Sequence, residues 1–308
     1  LSYHGNTRGA LDVSGRRSLR TPYLPWIGLA GRVPGVLEYR CPNPAHPIGC
    51  ALWHAQRLVD EIERIGPERV AAFIAEPIGG AASGAAVPPD GYWEAIVAVC
   101  RRYGVLVIAD EVMTGFGRTG RWFASEHFGL RPDILVAAKG ASSGYWPLGI
   151  TVAAGNVHEA VVAGGGFVHG FTWSHHAVGA AAGSAVLARI RELGLVEAAA
   201  VRGGQLLAGL RHALSGNRRV GDVRGKGLLV AVEIVAEREG KRPYRHQDRA
   251  AAQVTEAARG NGLLLYPSGG CADGENGDLV LLGPPLVIDE AEVDIVVERT
   301  AAALGVLA

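Results

Sequence analysis

The chain has 308 residues, is 48% hydrophobic and sets 30 basic residues against 30 acidic ones. That length exceeds what one hydrophobic core usually organises, so a large domain plus a smaller one is expected. A neutral balance with no basic block argues against a nucleic-acid groove or an anionic membrane surface, and no apolar run approaches the ~20 residues that span a bilayer.

Four cysteines, Cys41, Cys50, Cys100 and Cys271, are too few and too scattered for a disulfide scaffold. They point to a reducing compartment, with the cytoplasm as default. Only three of the basic residues are lysines, Lys139, Lys226 and Lys241, so any lysine chemistry has three candidates.

The chain opens on Leu1, and Ser2-Tyr3-His4-Gly5 reads as a strand end entering a loop, so a natural beginning upstream is expected. Thr21 to Gly49 is rich in Pro and Gly and predicts an irregular surface excursion. Short apolar runs follow at Val70 to Ala75, Val105 to Ala109, Ile134 to Ala138 and Ile150 to Ala154, each suited to a buried strand. Between the first two, Trp93, Ile96, Val97 and Cys100 recur at helical spacing. Strand, helix, strand predicts an α/β fold with a mostly parallel sheet and chemistry beyond the carboxyl ends of its strands. The residues there are Glu76, Asp110 and Lys139. From Ala177 to about Arg191 and from Val196 to Leu214 helices are expected. Strands at Gly227 to Val235 and Asp278 to Leu282, with helices at Arg249 to Gly260 and Glu290 to Leu304, predict a smaller α+β unit. The expected division is 1–195 for the large domain and 196–308 for the small one.

Charged groups at the ends of buried strands need compensation. Asp110 and Lys139 admit two solutions: a buried ion pair, or a lysine amine that condenses with the aldehyde of pyridoxal 5'-phosphate while the carboxylate pairs with its protonated pyridine nitrogen. Among the histidines, no pair stands in a recognisable metal pattern. Cys41, His46 and Cys50 are the only cluster of ligand types, and their Pro-rich spacing is unlike the usual zinc patterns, so no metal is expected. Gly164-Gly165-Gly166 lacks the strand-to-helix context of a nucleotide fingerprint and reads as a flexible loop.

The segment Ile108-Ala109-Asp110-Glu111-Val112-Met113-Thr114-Gly115-Phe116-Gly117-Arg118-Thr119-Gly120 resembles the signature of the class III aminotransferases. Ala137-Ala138-Lys139-Gly140, followed by Gly144-Tyr145-Trp146-Pro147-Leu148-Gly149, is similar to that family's lysine segment. Tyr3-His4-Gly5-Asn6-Thr7, Glu76-Pro77, Gly170-Phe171-Thr172 and Pro284-Pro285-Leu286 extend the resemblance over essentially the whole chain. It implies the fold type I of pyridoxal-phosphate-dependent transferases and gives Lys139 the Schiff base and the proton transfers. It gives Asp110 the pyridine nitrogen, and Val112, read as two residues on along an extended segment, one ring face with Tyr3 on the other. Thr172 resembles the threonine that reaches the cofactor phosphate from the neighbouring subunit, implying a homodimer with shared active sites. Glu76 is expected to hold a neighbouring backbone or cofactor group.

Three departures from the family pattern bear on function. Members acting on ornithine, acetylornithine or aminobutyrate carry a glutamate after Glu-Pro and an arginine before Pro-Pro-Leu, where this chain has Ala81 and Leu281. Joint loss of both charges is coherent and resembles the branch that pairs amines or ω-amino acids with pyruvate. That branch's second arginine finds only Tyr266 at the best matching place. Family members also begin more than a hundred residues before Tyr-His-Gly, with a Gly-Ser-Glu-Ala phosphate loop, so an N-terminally truncated member is expected. The expected activity is transamination between an amino donor and a keto acid, with an aminomutase-like or decarboxylating enzyme, or a catalytically silent dimerisation module, as alternatives.

Overall fold

The computed structural model describes residues 1–307. Two short helices, α1 (Arg8–Val13) and α2 (Arg17–Arg20), lead through a mostly irregular stretch to α3 (Cys50–Ile65). Then come β1 (Ala72–Ala75), α4 (Tyr92–Tyr103), β2 (Leu106–Asp110), β3 (Ile134–Ala137) and β4 (Ile150–Ala153). These strands form one sheet in the order β1-β2-β3-β4, with β1, β2 and β3 parallel and β4 antiparallel. The crossover helix α4 starts at Gly91 and stops at Gly104, both left-handed, and the Gly104 amide closes on the carbonyls of Arg101 and Cys100. Its buried Tyr92, Trp93, Ile96 and Cys100 pack with Ala55, Leu58 and Ile62 of α3 and with Val107 and Ala109 of β2.

The sequence reading assigned no element to α3. Its signal is a stripe of Cys50, His54, Leu58 and Ile62, all buried and four residues apart, diluted by Gln, Arg, Asp and Glu on the solvent face.

Helices α5 (Gly155–Ala163), α6 (Ala177–Glu192) and α7 (Leu195–Ala213) lead to the second sheet. It is built from β5 (Val220–Lys226), β6 (Leu229–Glu237), β7 (Arg242–Pro243), β8 (Tyr266–Gly269) and β9 (Asp278–Leu282), with α8 (Ala250–Gly260) before β8 and α9 (Glu290–Leu304) after β9. The order β5-β6-β9-β8 is antiparallel throughout, and β7 adds to β6. Because alternate strand residues face opposite sides, Val230, Val232 and Ile234 meet Leu206, Leu210 and Val254 of the helices. Leu229 and Ala231 face the other way, against Ile78 and Ala85 of the loop that follows β1. The small sheet is thus covered on both faces. Among the described residues no helix is long and apolar enough to cross a membrane.

Backbone closeness joins the two sheets. A Cβ on Gly203 of α7 would lie 2.1 Å from the carbonyl carbon of Gly227, and one on Gly227 would lie 2.3 Å from that of Thr119. Gly227 also has φ +56, so glycine is required twice over. Gly203→Ala is expected to cost about 3 kcal/mol or more, since backbone cannot yield as a side chain does. Gly204→Ala, one residue on with nothing within 4 Å of its Cβ position, should stabilise by about 0.5–1 kcal/mol. Urea midpoints of the two variants check this contrast, and equal shifts would remove the packing argument.

Candidate active site

Parallel strands deliver their carboxyl ends to one edge. With Ala75 in register with Ala109, and Asp110 with Val136, the residues leaving β1, β2 and β3 emerge on the same side. These are Glu76, Asp110 and, two residues past β3, Lys139. Lys139 opens a single 3-10 turn (Lys139–Ala141) with φ +40, a left-handed conformation that costs a non-glycine residue of order 1–3 kcal/mol. Gly140 beside it lies so close to Phe116 that a Cβ would stand 3.2 Å from the Phe116 Cβ. The lysine turn therefore rests on the Gly115-Phe116-Gly117 loop. The Lys139 side chain is exposed, and its amine has no hydrogen bond or ion pair among the described residues.

Asp110 is held firmly. Its carboxylate is 4% exposed, Oδ2 meets Nδ1 of His4 at 2.8 Å and Oδ1 accepts the Val112 amide at 3.0 Å. The second bond closes a turn of the kind Asp makes on its own backbone. Val112 consequently lies in a turn rather than on the extended segment expected from sequence, because the carboxylate captures its amide.

Glu111 does different work. Fully buried, it accepts the amides of Ala124 at 3.0 Å and Ser125 at 2.7 Å, the Ser125 hydroxyl at 2.7 Å and the Thr114 hydroxyl. Four donors offset the desolvation of one carboxylate and pin the loop of residues 112–125. From that loop the guanidinium of half-buried Arg118 donates to the carbonyls of Leu228 and Pro284 at 3.2 and 2.5 Å.

Glu76 accepts the amides of Gly80, at 2.9 Å, and of Tyr3, so it holds neighbouring backbone. Burial pushes its carboxyl up to about 7, the neighbouring Asp110 acting in the same sense and His4 and the two amides against it. Its side chain still touches a cavity of about 420 Å³ that runs along β1 and is lined by Arg32, Ile62 and Phe73 among others. Neither Asp110 nor Lys139 lines that cavity. Tyr3 is 37% exposed beside His4. Thr172 lies on an exposed loop and makes no side-chain hydrogen bond among the described residues. The stack of Trp173 and Trp146 on His176, at 5.4 and 4.7 Å, anchors that loop.

His4 and Glu111 are the functional and supporting residues that sequence reasoning passed over. Both stood inside the motifs already singled out, His4 after Tyr3 and Glu111 after Asp110.

These residues fit pyridoxal phosphate. A carboxylate has about four acceptor sites, of which Asp110 spends one on His4 and one on Val112, leaving capacity for a pyridinium N–H. Lys139 offers the free amine that an aldehyde needs.

The raised Glu76 value has a thermodynamic consequence. The native protein keeps this proton up to about pH 7 while the unfolded chain releases it near the ordinary 4.5. The native state thus binds more protons in that window, and stability falls as pH rises through it, levelling off above. Glu76→Gln should remove up to about 3 kcal/mol of this loss. Its stability relative to wild type, from urea midpoints without added cofactor, should therefore be higher at about pH 8 than at about pH 5; a pH-independent difference would refute the assignment.

The family model for "Aminotransferase class-III" matches residues 1–304. The chain is 38% identical over 294 residues to the uncharacterized aminotransferase YodT of Bacillus subtilis, covering 95% of this chain and 66% of that protein. It is 34% identical over 317 residues to the putrescine–pyruvate aminotransferase of Pseudomonas aeruginosa, covering 98% and 66%. The structure of the omega transaminase from Pseudomonas jessenii in complex with PMP superposes with a TM-score of 0.88 at 37% identity, over 99% of this chain and 66% of that one. The chain thus spans about two thirds of the length of these relatives. Strand-end geometry and likeness agree: the chain belongs to the class III aminotransferase family, whose cofactor is pyridoxal phosphate.

Proposed function

We propose that this chain acts as a pyridoxal-phosphate-dependent transaminase, moving an amino group from an amine or amino acid to a keto acid such as pyruvate. The observation that carries this reading is the free amine of Lys139 just past β3, the strand next to the one that ends on the anchored carboxylate of Asp110. When bound, the cofactor supplies an electron sink for the charge released at the substrate carbon. Lys139 would hold it through Nζ and, once displaced by the incoming amino group of the substrate, its freed amine would take and return the substrate proton. Asp110 keeps the pyridine nitrogen protonated, and His4 keeps Asp110 oriented. Val112 and Tyr3 are assigned to the two ring faces. Glu76, engaged with the amides of Tyr3 and Gly80, positions Tyr3.

Two observations support an amine donor with pyruvate. Ala81 and Leu281, which stand where other branches carry a charged pair, share one apolar cluster with Ile78, Leu229 and Met113; a carboxylate-gating arginine has no place there. The Pseudomonas aeruginosa relative is named for putrescine and pyruvate. A homodimer is supported by the apolar side chains around Thr172, where Phe167, Phe171 and Trp173 are 82%, 73% and 71% exposed, a surface of the kind partners cover. Thr172 would then offer its hydroxyl to the phosphate held by the partner copy.

Borohydride reduction after incubation with pyridoxal phosphate, followed by peptide mass spectrometry, should find the adduct on Lys139 and lose it in Lys139→Ala. An adduct on Lys226 or Lys241, or none, overturns the anchor. Asp110→Asn should weaken cofactor binding on the order of a hundredfold. Pyruvate with a primary amine should yield alanine; a rearranged or decarboxylated product would replace transamination with another chemistry of the same cofactor.

A further inference from the structure

Sequence spacing predicts no metal site, yet the fold gathers two cysteines and a histidine away from the parallel-strand edge. Cys41 and His46 belong to the Pro-rich segment that precedes α3, and Cys50 is the first residue of that helix. The Cys41 and Cys50 sulfurs stand 3.5 Å apart, His46 Nδ1 is 3.1 Å from Cys50 Sγ, and all three atoms lie within 4.8 Å of one another.

A disulfide needs its sulfurs at about 2.05 Å. Ligands sharing a tetrahedral zinc, with Zn–S about 2.3 Å and Zn–N about 2.0–2.1 Å, stand roughly 3.5–3.8 Å from one another. The 3.5 Å separation of the two sulfurs fits the second arrangement and not the first. Cys50 Sγ also receives an N–H donor from buried Asn43, whose side-chain Nδ2 lies 3.4 Å away. Such a donor orients a metal ligand. Asn43 is itself fixed, donating to the Ile48 carbonyl at 2.9 Å and accepting the Ala45 amide at 3.0 Å. A cavity of about 20 Å³ borders the three ligands and is also lined by Glu38 and His54. It is large enough for one water. His54 is held between Trp53 and Tyr92 at ring distances of 5.0 and 5.8 Å, so a water in this cavity would take the fourth ligand position of a bound cation.

We propose that Cys41, His46 and Cys50 bind a borderline-soft divalent cation of the zinc class, which clamps the Pro-rich segment onto the start of α3. Binding exchanges the two thiol protons for two metal–sulfur bonds, with no oxidant or reductant involved. The cation is structural: it secures α3, whose Leu58 and Ile62 pack against α4 in the core beneath β1.

The test is made on the full chain, purified with zinc and freed of excess by gel filtration. Elemental analysis should find one zinc per chain, and cobalt replacement should give the near-ultraviolet band of thiolate-to-cobalt charge transfer. His46→Ala, at the rim of the site, should keep the fold and lower zinc affinity on the order of a hundredfold or more. Cys41→Ser should abolish the cobalt band. A chelator should lower the Tm of wild type and leave that of His46→Ala unmoved. Absence of zinc, zinc content unaffected by these substitutions, or a Cys41–Cys50 disulfide found by mass spectrometry would each overturn the proposal.

Discussion

The structure around the site depends on one buried carboxylate. Glu111, a residue past the end of β2, is cut off from water and takes four donors from Thr114, Ala124 and Ser125. A charge in that position is tolerable only with its hydrogen bonds complete, so the loop between residues 111 and 125 has little freedom. Its fixed course places Phe116 against Gly140, the neighbour of Lys139, and sends Arg118 to the carbonyls of Leu228 and Pro284. One carboxylate thereby governs the lysine turn and the contact with the second sheet.

The adjacent Asp110 shows how neighbouring acids take different tasks. Glu111 has its acceptor sites filled from its own loop, whereas Asp110 is oriented by two donors and keeps the rest of its capacity for a ligand. Glu76, across the strand edge, is desolvated and repelled by Asp110. The concentration of negative charge is relieved by letting Glu76 stay protonated to about pH 7 and by placing His4 against Asp110. A buried carboxyl perturbed in this way at a strand end is a common mark of a site built for chemistry.

The small sheet contributes rigidity from behind. Arg224 donates to the carbonyls of Ser83 and Gly84 at 2.8 and 2.7 Å while pairing with Glu233 at 2.7 Å, and Arg40 joins the same glutamate. The loop after Glu76 is therefore tied to β5 and β6, and the Pro-rich segment before α3 to the same network. Buried ion networks of this kind add little net stability but leave few alternative arrangements for the loops they join.

Sequence alone determined the strands of the parallel sheet, because buried strands are written as short unbroken apolar runs. It also determined the three polar residues at their ends and the family resemblance carried by the Asp110 and Lys139 motifs. Helix α3 was written in the sequence as a four-residue repeat but masked by its charged outer face. Strand β5 was masked by Gly221, Gly225 and charged residues, since Arg224 is buried through ion pairs rather than through apolarity. The turn at Val112, the hold of His4 on Asp110, the different fates of Glu76 and Glu111, and the meeting of Cys41, His46 and Cys50 were decided by tertiary structure. Each depends on groups whose separation in sequence says nothing of their separation in space: His4 lies 106 positions from Asp110 and 2.8 Å from its carboxylate. Whether a polar residue serves chemistry or support follows from which donors the fold brings to it.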